Sequence, residues 1–466
     1  MSDNLIDLIM PRVIPPLDNN FMPAVLWNRA FLDEVHSSGE GIPVAIGLER
    51  GDGSISVFRT QAFPPEHKLA STSLLYTERL VKTLLWLRGG YKLTIAGPDK
   101  IGEFIKKVYS STGKRSFDVN FMSNIYGKPF RVEVSNINNI SPAKEKSIPL
   151  GGNLGGCRIG FDLGASDRKV SAVIDGKAVF SEEVVWDPRN QTDPRYHYHE
   201  IMSMLHHAAA HMPRVDAIGG SSAGIYINNK VMSASIFRGI PPELFEKKVK
   251  NIFLDIQKEW GVPFEIINDG EVTALAGSIS LKANSVLGIA MGSSEAGGYI
   301  NKDGNITEWL NELAFIPIDF NTEAPIDEWS GDRGCGVQYF SQQAVIRLAK
   351  KAGIVFDEKK TPAEKLKFVQ ILMSKGDDRA KKVFETIGCY LGYGIAYYAD
   401  FYDIKHILIL GRVTSGEGGH IILQKAEQVL KEEFPKLFKN ISLDLPDESI
   451  RRVGQSIAAA SLSTLL

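Results

Sequence analysis

One pattern constrains this chain more than any other, because it recurs four times: an apolar run that ends in a turn of small residues. The turns are DLGASDRK from Asp162, GGSSAG from Gly219, GSSEAGG from Gly292 and GRVTSGEGG from Gly411. Small residues let backbone amides approach an anion, and successive amides in such turns form a concavity that suits phosphate. One such turn is common in any α/β protein. Four in order, each closing a strand and two of them separated by helical stretches, predict two α/β lobes around a phosphate-binding cleft.

Between the second and third turns lies IINDGEVTALAG, Ile266 to Gly277. A short apolar run ends in Asn268-Asp269 and a helix-like stretch follows at once. Asp269 reads either as a helix cap or as a general base. A carboxylate at a helix start is stabilised by the unpaired amides there, which would keep it ionised and fixed in direction. The two roles are compatible, and the stretch alone leaves both open.

At 466 residues the chain is too long for one ordinary core, so two or three domains are expected. Formal net charge is -2, with acids and bases mixed along the chain. That leaves no electrostatic footprint for nucleic acid or anionic membrane, and a small-molecule partner is expected. Cys157, Cys335 and Cys389 are scattered with no CxxC pair, which fits a reducing cytoplasm and excludes both a disulfide framework and a four-cysteine zinc site. The first residues, MSDNLIDLIMPRVIPP, carry acids and prolines where a signal peptide would carry basic residues and an apolar run, and no apolar segment reaches spanning length. The expectation is a soluble cytoplasmic protein.

The clearest seam is residues 136–156, rich in Asn, Ser, Pro and Gly, which reads as a linker. Residues 1–135 read as a separate α/β domain: two strands around Gly51-Asp52-Gly53, a Ser-capped amphipathic helix in STSLLYTERLVKTLLWLRGG, the strand YKLTIAG, a helix from Asp99, and strands in FDVNFM and PFRVEVS. No basic recognition helix is present, which argues against DNA binding. IGLERGDGSISVF from Ile46 echoes IGFDLGASDRKVSAVI from Ile159, with Glu49 where Asp162 stands. A degenerate copy of one lobe and a chance hairpin both produce that text. Residues 157–268, with a C-terminal helix over 449–466, read as the first lobe and 269–448 as the second. A long helix is expected from Pro241 to Trp260. His207 and His211 stand four apart, but without a supporting ligand set they read as a helix face.

The order of these motifs, strand-Asp-Leu-Gly-small, Gly-rich loop, Asn-Asp-helix, Gly-rich hairpin and Leu-Gly-x-Val, resembles the sugar kinases of the actin, Hsp70 and hexokinase fold. Within them it resembles the ROK family of bacterial kinases and repressors, from about Arg158 onward. The resemblance implies an α/β, two-lobed actin-like ATPase (ribonuclease H-like) fold preceded by an additional α/β domain. It implies ATP and Mg2+ as cofactors, with Asp162, Gly164, Ala165 and Lys169 at the phosphates, Asp162 also at the metal, Gly292, Ser293, Ser294 and Gly297 in the hairpin, and Gly411, Arg412 and Thr414 at the adenosine. Asp269 would accept the proton of a sugar hydroxyl as it attacks the γ-phosphorus. Asn268, Asp269, Glu312 and Ser222 would contact the sugar or sugar derivative, and a homodimer is left open.

The pattern also breaks. Ala165-Ser166 stands where the family has Gly-Thr, Glu295 sits inside the hairpin turn, and Arg412 replaces a glycine. At the family's zinc ligands this chain has Phe315, Glu328 and Ser330, keeping only Cys335, and Val337 replaces a sugar-contacting Glu. One cysteine cannot supply a tetrahedral site, so zinc is expected to be absent, with Trp329, Phe315 and Tyr339 packing in its place. Ile236 stands where the family offers an Asn to the sugar. The reading is an ATP-dependent kinase for a sugar or sugar derivative; the alternative is a catalytically weak or inactive sugar or nucleotide sensor on the same fold.

Overall fold

A computed structural model describes residues 9–445 and 454–465. Among the described residues seventeen strands form four sheets. The first lobe is built on β6 (Cys157–Leu163), β7 (Asp167–Ile174), β8 (Lys177–Val185), β9 (Ala217–Ser222) and β12 (Phe264–Asn268), in the order β12-β9-β6-β7-β8. β6, β7 and β8 form an antiparallel meander, and β9 and β12 add in parallel on the other side of β6.

The second lobe repeats this plan with β13 (Val286–Met291), β14 (Glu295–Ile300), β15 (Ile306–Thr307), β16 (His406–Leu410) and β17 (Ser442–Asp444). Here β13, β14 and β15 are antiparallel, while β16 and β17 follow in parallel beside β13. Because each lobe places its first hairpin and its parallel strands alike, the small-residue turns lie at corresponding edges of the two sheets. This is the two-lobed actin-like ATPase fold.

β5 (Ser147–Ile148) comes from the expected linker and extends the second-lobe sheet beyond β15. The same segment exchanges backbone hydrogen bonds between Lys144 and Ile55, at 2.8 and 2.9 Å. Glu145 pairs with Arg50 at 2.6 Å and accepts from Trp309 Nε1 at 3.0 Å. Residues 136–156 are therefore stitched to the elements on both sides.

The N-terminal sheet contains β1 (Ile42–Glu49), β2 (Ile55–Ala62), β3 (Lys92–Ala96) and β4 (Arg131–Ser135), in the order β2-β1-β3-β4. β1 and β3 are antiparallel, whereas the corresponding β6 and β9 are parallel. The strand-turn-strand echo is thus confined to a hairpin and does not extend to the topology of a lobe.

The apolar core of this N-terminal region is continuous with that of the second lobe. Phe31, Leu84, Trp86 and Met122 belong to one buried cluster with Leu313, Phe315, Tyr393 and Tyr397. The helix Ala70–Arg88 runs through it and buries Tyr76 to Leu87 without interruption. The expected Ser cap and amphipathic face are absent: its N-cap is Leu69, with no side-chain bond, and Glu78, Arg79 and Lys82 are inside. FDVNFM is helical, within Ser116–Tyr126, rather than a strand. Its alternating Phe117, Val119 and Phe121 suggest a period of two, but the buried set is Asp118, Val119, Met122 and Ile125, which recurs at helical spacing.

The long helix expected from Pro241 is broken. A turn at Pro242–Leu244 leads into a π-helical segment at Phe245–Val249, and the regular helix is Ile252–Trp260. Of the C-terminal helix expected over 449–466, the described part is Gln455–Ala460; residues 446–453 and 466 lie outside the described residues. It packs backbone-to-backbone on the first-lobe sheet, since a Cβ at Gly160 would lie 1.7 Å from the Ser456 carbonyl oxygen. No described helix is long and apolar enough to cross a membrane.

Candidate active site

β6 carries Asp162 at its end, buried, with Ser221 of the neighbouring β9 donating to its Oδ1 at 2.7 Å. Burial raises the Asp162 carboxyl, while the Ser221 bond and Lys169, directly opposite on β7, oppose that rise. The chain then turns through Gly164 and Ala165, closed by Gly164 N–H donating to the Asp167 carbonyl at 2.9 Å. Trp186 Nε1 donates to the Gly164 carbonyl at 2.9 Å and so fixes the turn from outside. Ser222, the next residue on β9, directs its hydroxyl to the Leu163 carbonyl at 3.3 Å.

β12 ends at Asn268, and the helix Asp269–Leu281 begins beside Asp162. The cap is Asn268: its Oδ1 accepts from Gly270 N–H at 2.7 Å and its Nδ2 donates to the Gly224 carbonyl at 2.7 Å. Asp269 is the first helical residue and accepts from Gly270 N–H at 3.0 Å. The expectation that the helix start keeps Asp269 ionised is not met. Burial pushes its carboxyl up to about 7 and the nearby Asp162 charge adds to this, outweighing the amides.

Three more carboxyls crowd this end of the helix. Glu312 opens the 3-10 turn Leu313–Phe315 and is pushed up to about 8 by burial and by Asp269. Glu271 rises to about 8 by burial, opposed by a bond with Asn311. Glu295, the residue that interrupts the hairpin motif, points into the second-lobe core and accepts from Tyr398 at 3.0 Å, with burial raising it to about 8. A neutral carboxyl avoids the cost of a buried charge. Glu295 therefore leaves the hairpin turn free of negative charge.

In that hairpin Ser293 and Ser294 are exposed, and Gly292 N–H donates to the Ser294 carbonyl at 2.9 Å. Gly297 serves close packing: a Cβ on Gly270 would sit 2.1 Å from the Gly297 oxygen, so the helix Asp269–Leu281 rests on the hairpin backbone. Gly411 has φ +104, and a Cβ there would meet the Met291 oxygen at 2.3 Å, so the turn after β16 lies against the end of β13. Thr414 Oγ1 donates to the Gly411 carbonyl at 3.0 Å. Arg412 reaches across the cleft, donating to Asp167 Oδ2 at 2.7 Å and Ser166 Oγ at 3.1 Å. The turns after β6, β13 and β16 thus face one another, with Asp269 behind them.

Beyond Glu312 the chain enters the apolar core. Phe315 stacks on Trp86 at 4.1 Å between ring centroids, and Val337 and Tyr339 are buried. Trp329, expected to pack inward, is 57% exposed instead. It lines a pocket of about 340 Å3 with Ser235, Phe237 and Arg238 of the first lobe. Ile236 lies in the first-lobe core, and its carbonyl accepts from His197 Nε2 at 2.9 Å. In the helix Pro194–Ala209, which carries His197, His207 bonds Glu182 at 2.9 Å, and His211, just beyond the helix end, stacks on Phe180.

Cys335 is buried, 4.0 Å from Asp332 Oδ2, and burial drives its thiol far above the ordinary value. With Phe315, Glu328 and Ser330 at the other positions, this single cysteine does not supply a tetrahedral zinc site. Among the described residues no group of three His, Cys, Asp or Glu side chains is arranged to hold a metal.

Ser221, Trp186, His197 and Glu271 were not singled out in the sequence. Ser221 stands beside the chosen Ser222 in GGSSAG, and strand alternation could have flagged it as the partner facing Asp162. Nothing local marks the other three.

The sequence matches the ROK family over residues 158–445. The chain belongs to the ROK family. Its fold is similar to a ROK family glucokinase from Streptomyces griseus, solved with glucose and AMPPNP, at 18% identity and TM-score 0.51, covering 66% of this chain and 99% of that one. It is also similar to a ROK family transcriptional regulator, a homologue of the E. coli MLC protein, at 19% identity and TM-score 0.53, covering 66% and 78%. A ROK hexokinase from Thermus thermophilus follows at 18% and 0.50, covering 65% and 97%. No curated relative matches. The ROK kinases and regulators thus share their fold with residues beyond about 158.

Proposed function

We propose that this ROK protein is an ATP-dependent kinase that phosphorylates a hydroxyl of a sugar or sugar derivative, with Asp269 as general base. The observation that carries this reading is the meeting, in one cleft, of Asp269 and Glu312 with three small-residue turns. Asp269 takes the hydroxyl proton as the oxygen bonds the γ-phosphorus, and the bond to ADP breaks. The amides of Ala165, Ser166, Ser293 and Ser294 bind phosphate oxygens, and Thr414 and Gly411 bound the adenosine side. Asp162 supplies oxygen donors of the kind Mg2+ takes, and bound Mg2+ would neutralise phosphate charge. Glu312, held neutral near pH 7, can both donate to and accept from a substrate hydroxyl.

Phe315 and Val337 offer no hydrogen bonds to hydroxyls, so the acceptor is less hydroxylated on that side than a free hexose. The same loss favours a second reading, a sugar or nucleotide sensor without turnover. ADP release measured across hexoses, amino sugars and polyols separates them: ligand-induced thermal stabilisation with no ADP formed favours the sensor.

A further inference from the structure

The helix Ala70–Arg88 lies outside the family-matched region, yet it touches the segment carrying Glu312 in two ways and the 327–337 loop in a third. Its last carbonyls hold the backbone: Asn311 N–H donates to the Leu87 oxygen at 2.9 Å and Glu312 N–H to the Trp86 oxygen at 3.0 Å. These are carbonyls that a helix end leaves without partners of its own. The Trp86 ring stacks on Phe315, three residues past Glu312. Its charged residues hold the 327–337 loop, where Arg79 grips Asp332 with two bonds of 3.0 and 3.1 Å.

The charges form a closed set. Arg115 pairs with Glu78 and, at 2.7 Å, with Asp332. Lys82 lies 2.9 Å from Asp118 and 3.8 Å from Asp332, and Trp86 Nε1 donates to Asp118 at 3.0 Å. Arg79, Lys82 and Arg115 balance Glu78, Asp118 and Asp332, and all six are buried. Buried charges are tolerated only when paired and hydrogen-bonded, so the loop has one seat in which every charge is met. Without this helix, Asp332 would keep only Arg115 of the three cations around it.

We infer that this helix, together with Arg115 before the helix Ser116–Tyr126, takes the place of the family's zinc: Arg79, Lys82, Trp86 and Arg115 are positioning residues that hold Glu312 and the 327–337 loop in register for the acceptor. A metal ties such a loop through directional bonds from several ligands; here a bidentate arginine, a lysine, a second arginine and an aromatic stack tie it. The N-terminal region is then a working part of the acceptor side, and the kinetic arm of its test rests on the kinase reading above.

Hydrogen exchange by mass spectrometry on the full chain tests the inference without needing turnover. Arg79→Ala should speed exchange in 311–320 and 327–337 at least tenfold, with the β6, β7 and β9 peptides unchanged. Arg79→Lys, which keeps the charge but not the fork, should fall between. If Arg79→Ala does not fold, Asp332→Asn gives the same readout. For an acceptor that is turned over, Arg79→Ala should raise the acceptor KM at least tenfold and leave the nucleotide KM within twofold. Unchanged exchange in both segments, exchange raised equally throughout the chain, or one zinc per purified parent chain by mass spectrometry would each overturn the inference. If no acceptor is turned over while the two segments loosen as expected, the kinase reading fails and the inference stands.

Discussion

Asp269 provides the most decisive test, because its environment sets both a rate and a pH range. Its carboxyl is pushed up to about 7, first by burial and then by the nearby Asp162. Only the ionised form can take a proton, so activity must rise with pH. With a value near 7, about one tenth of the molecules are ionised at pH 6 and about nine tenths at pH 8. The ratio kcat/KM reports the free enzyme, and it should therefore climb about tenfold across that interval, with unit slope below pH 6. Asp269→Asn keeps the size of the side chain and removes the base. General-base contributions are about 10^2 to 10^4-fold, which is about 3 to 5 kcal/mol of barrier. The assay is coupled ADP release with the acceptor found by screening, alongside calorimetric nucleotide binding, which should stay within twofold. A variant that keeps full turnover removes Asp269 from the mechanism. A profile that is flat from pH 5 to 8 refutes the assigned environment even if the variant is inactive.

Glu295 ionises near 4.5 when unfolded but near 8 when folded, so the native state holds an extra proton between those values and stability falls as pH rises. Glu295→Gln should flatten this, gaining on the parent by on the order of 1 kcal/mol per pH unit between pH 5 and 8 in urea unfolding; parallel curves would refute it. Gly270→Ala puts a Cβ 2.1 Å from the Gly297 oxygen, where neither backbone can yield cheaply. It should destabilise by about 1 to 3 kcal/mol, read by the same urea titration, and a neutral result would mean the helix and hairpin do not touch. Arg412 is 59% exposed, so Arg412→Ala should change stability by less than about 1 kcal/mol despite breaking its bridge to Asp167. A larger loss by thermal unfolding would show the bridge to be a principal tie between the lobes.

Much of the site was legible because its signals are local. The Asp162 turn, Asn268-Asp269 and the glycines at 292, 297 and 411 each follow from a strand meeting a turn, and a few neighbouring residues decide that geometry. The assignment of Asp269 as cap was displaced by one residue, since Asn268 can satisfy the same amide from the preceding position. The ionisation of Asp269 was misjudged for a different reason. Its helix amides are near in sequence, but Asp162 and the burial around it come from the fold.

The sequence by itself determined the order of motifs, the place of Asn268-Asp269 at a helix start and the loss of three of the four positions that hold zinc in the family it resembles, because residue identity at a fixed spacing carries each of these. Tertiary structure alone decided what holds the altered loop. Arg79 and Asp332 are 253 positions apart, and nothing near either one announces the other. A helix bearing Glu78, Arg79 and Lys82 reads as solvent-facing by composition, and FDVNFM reads as a strand by alternation. Both are overruled by burial against distant partners, because a buried charge gains its stability from a counter-charge that only the folded chain brings within reach.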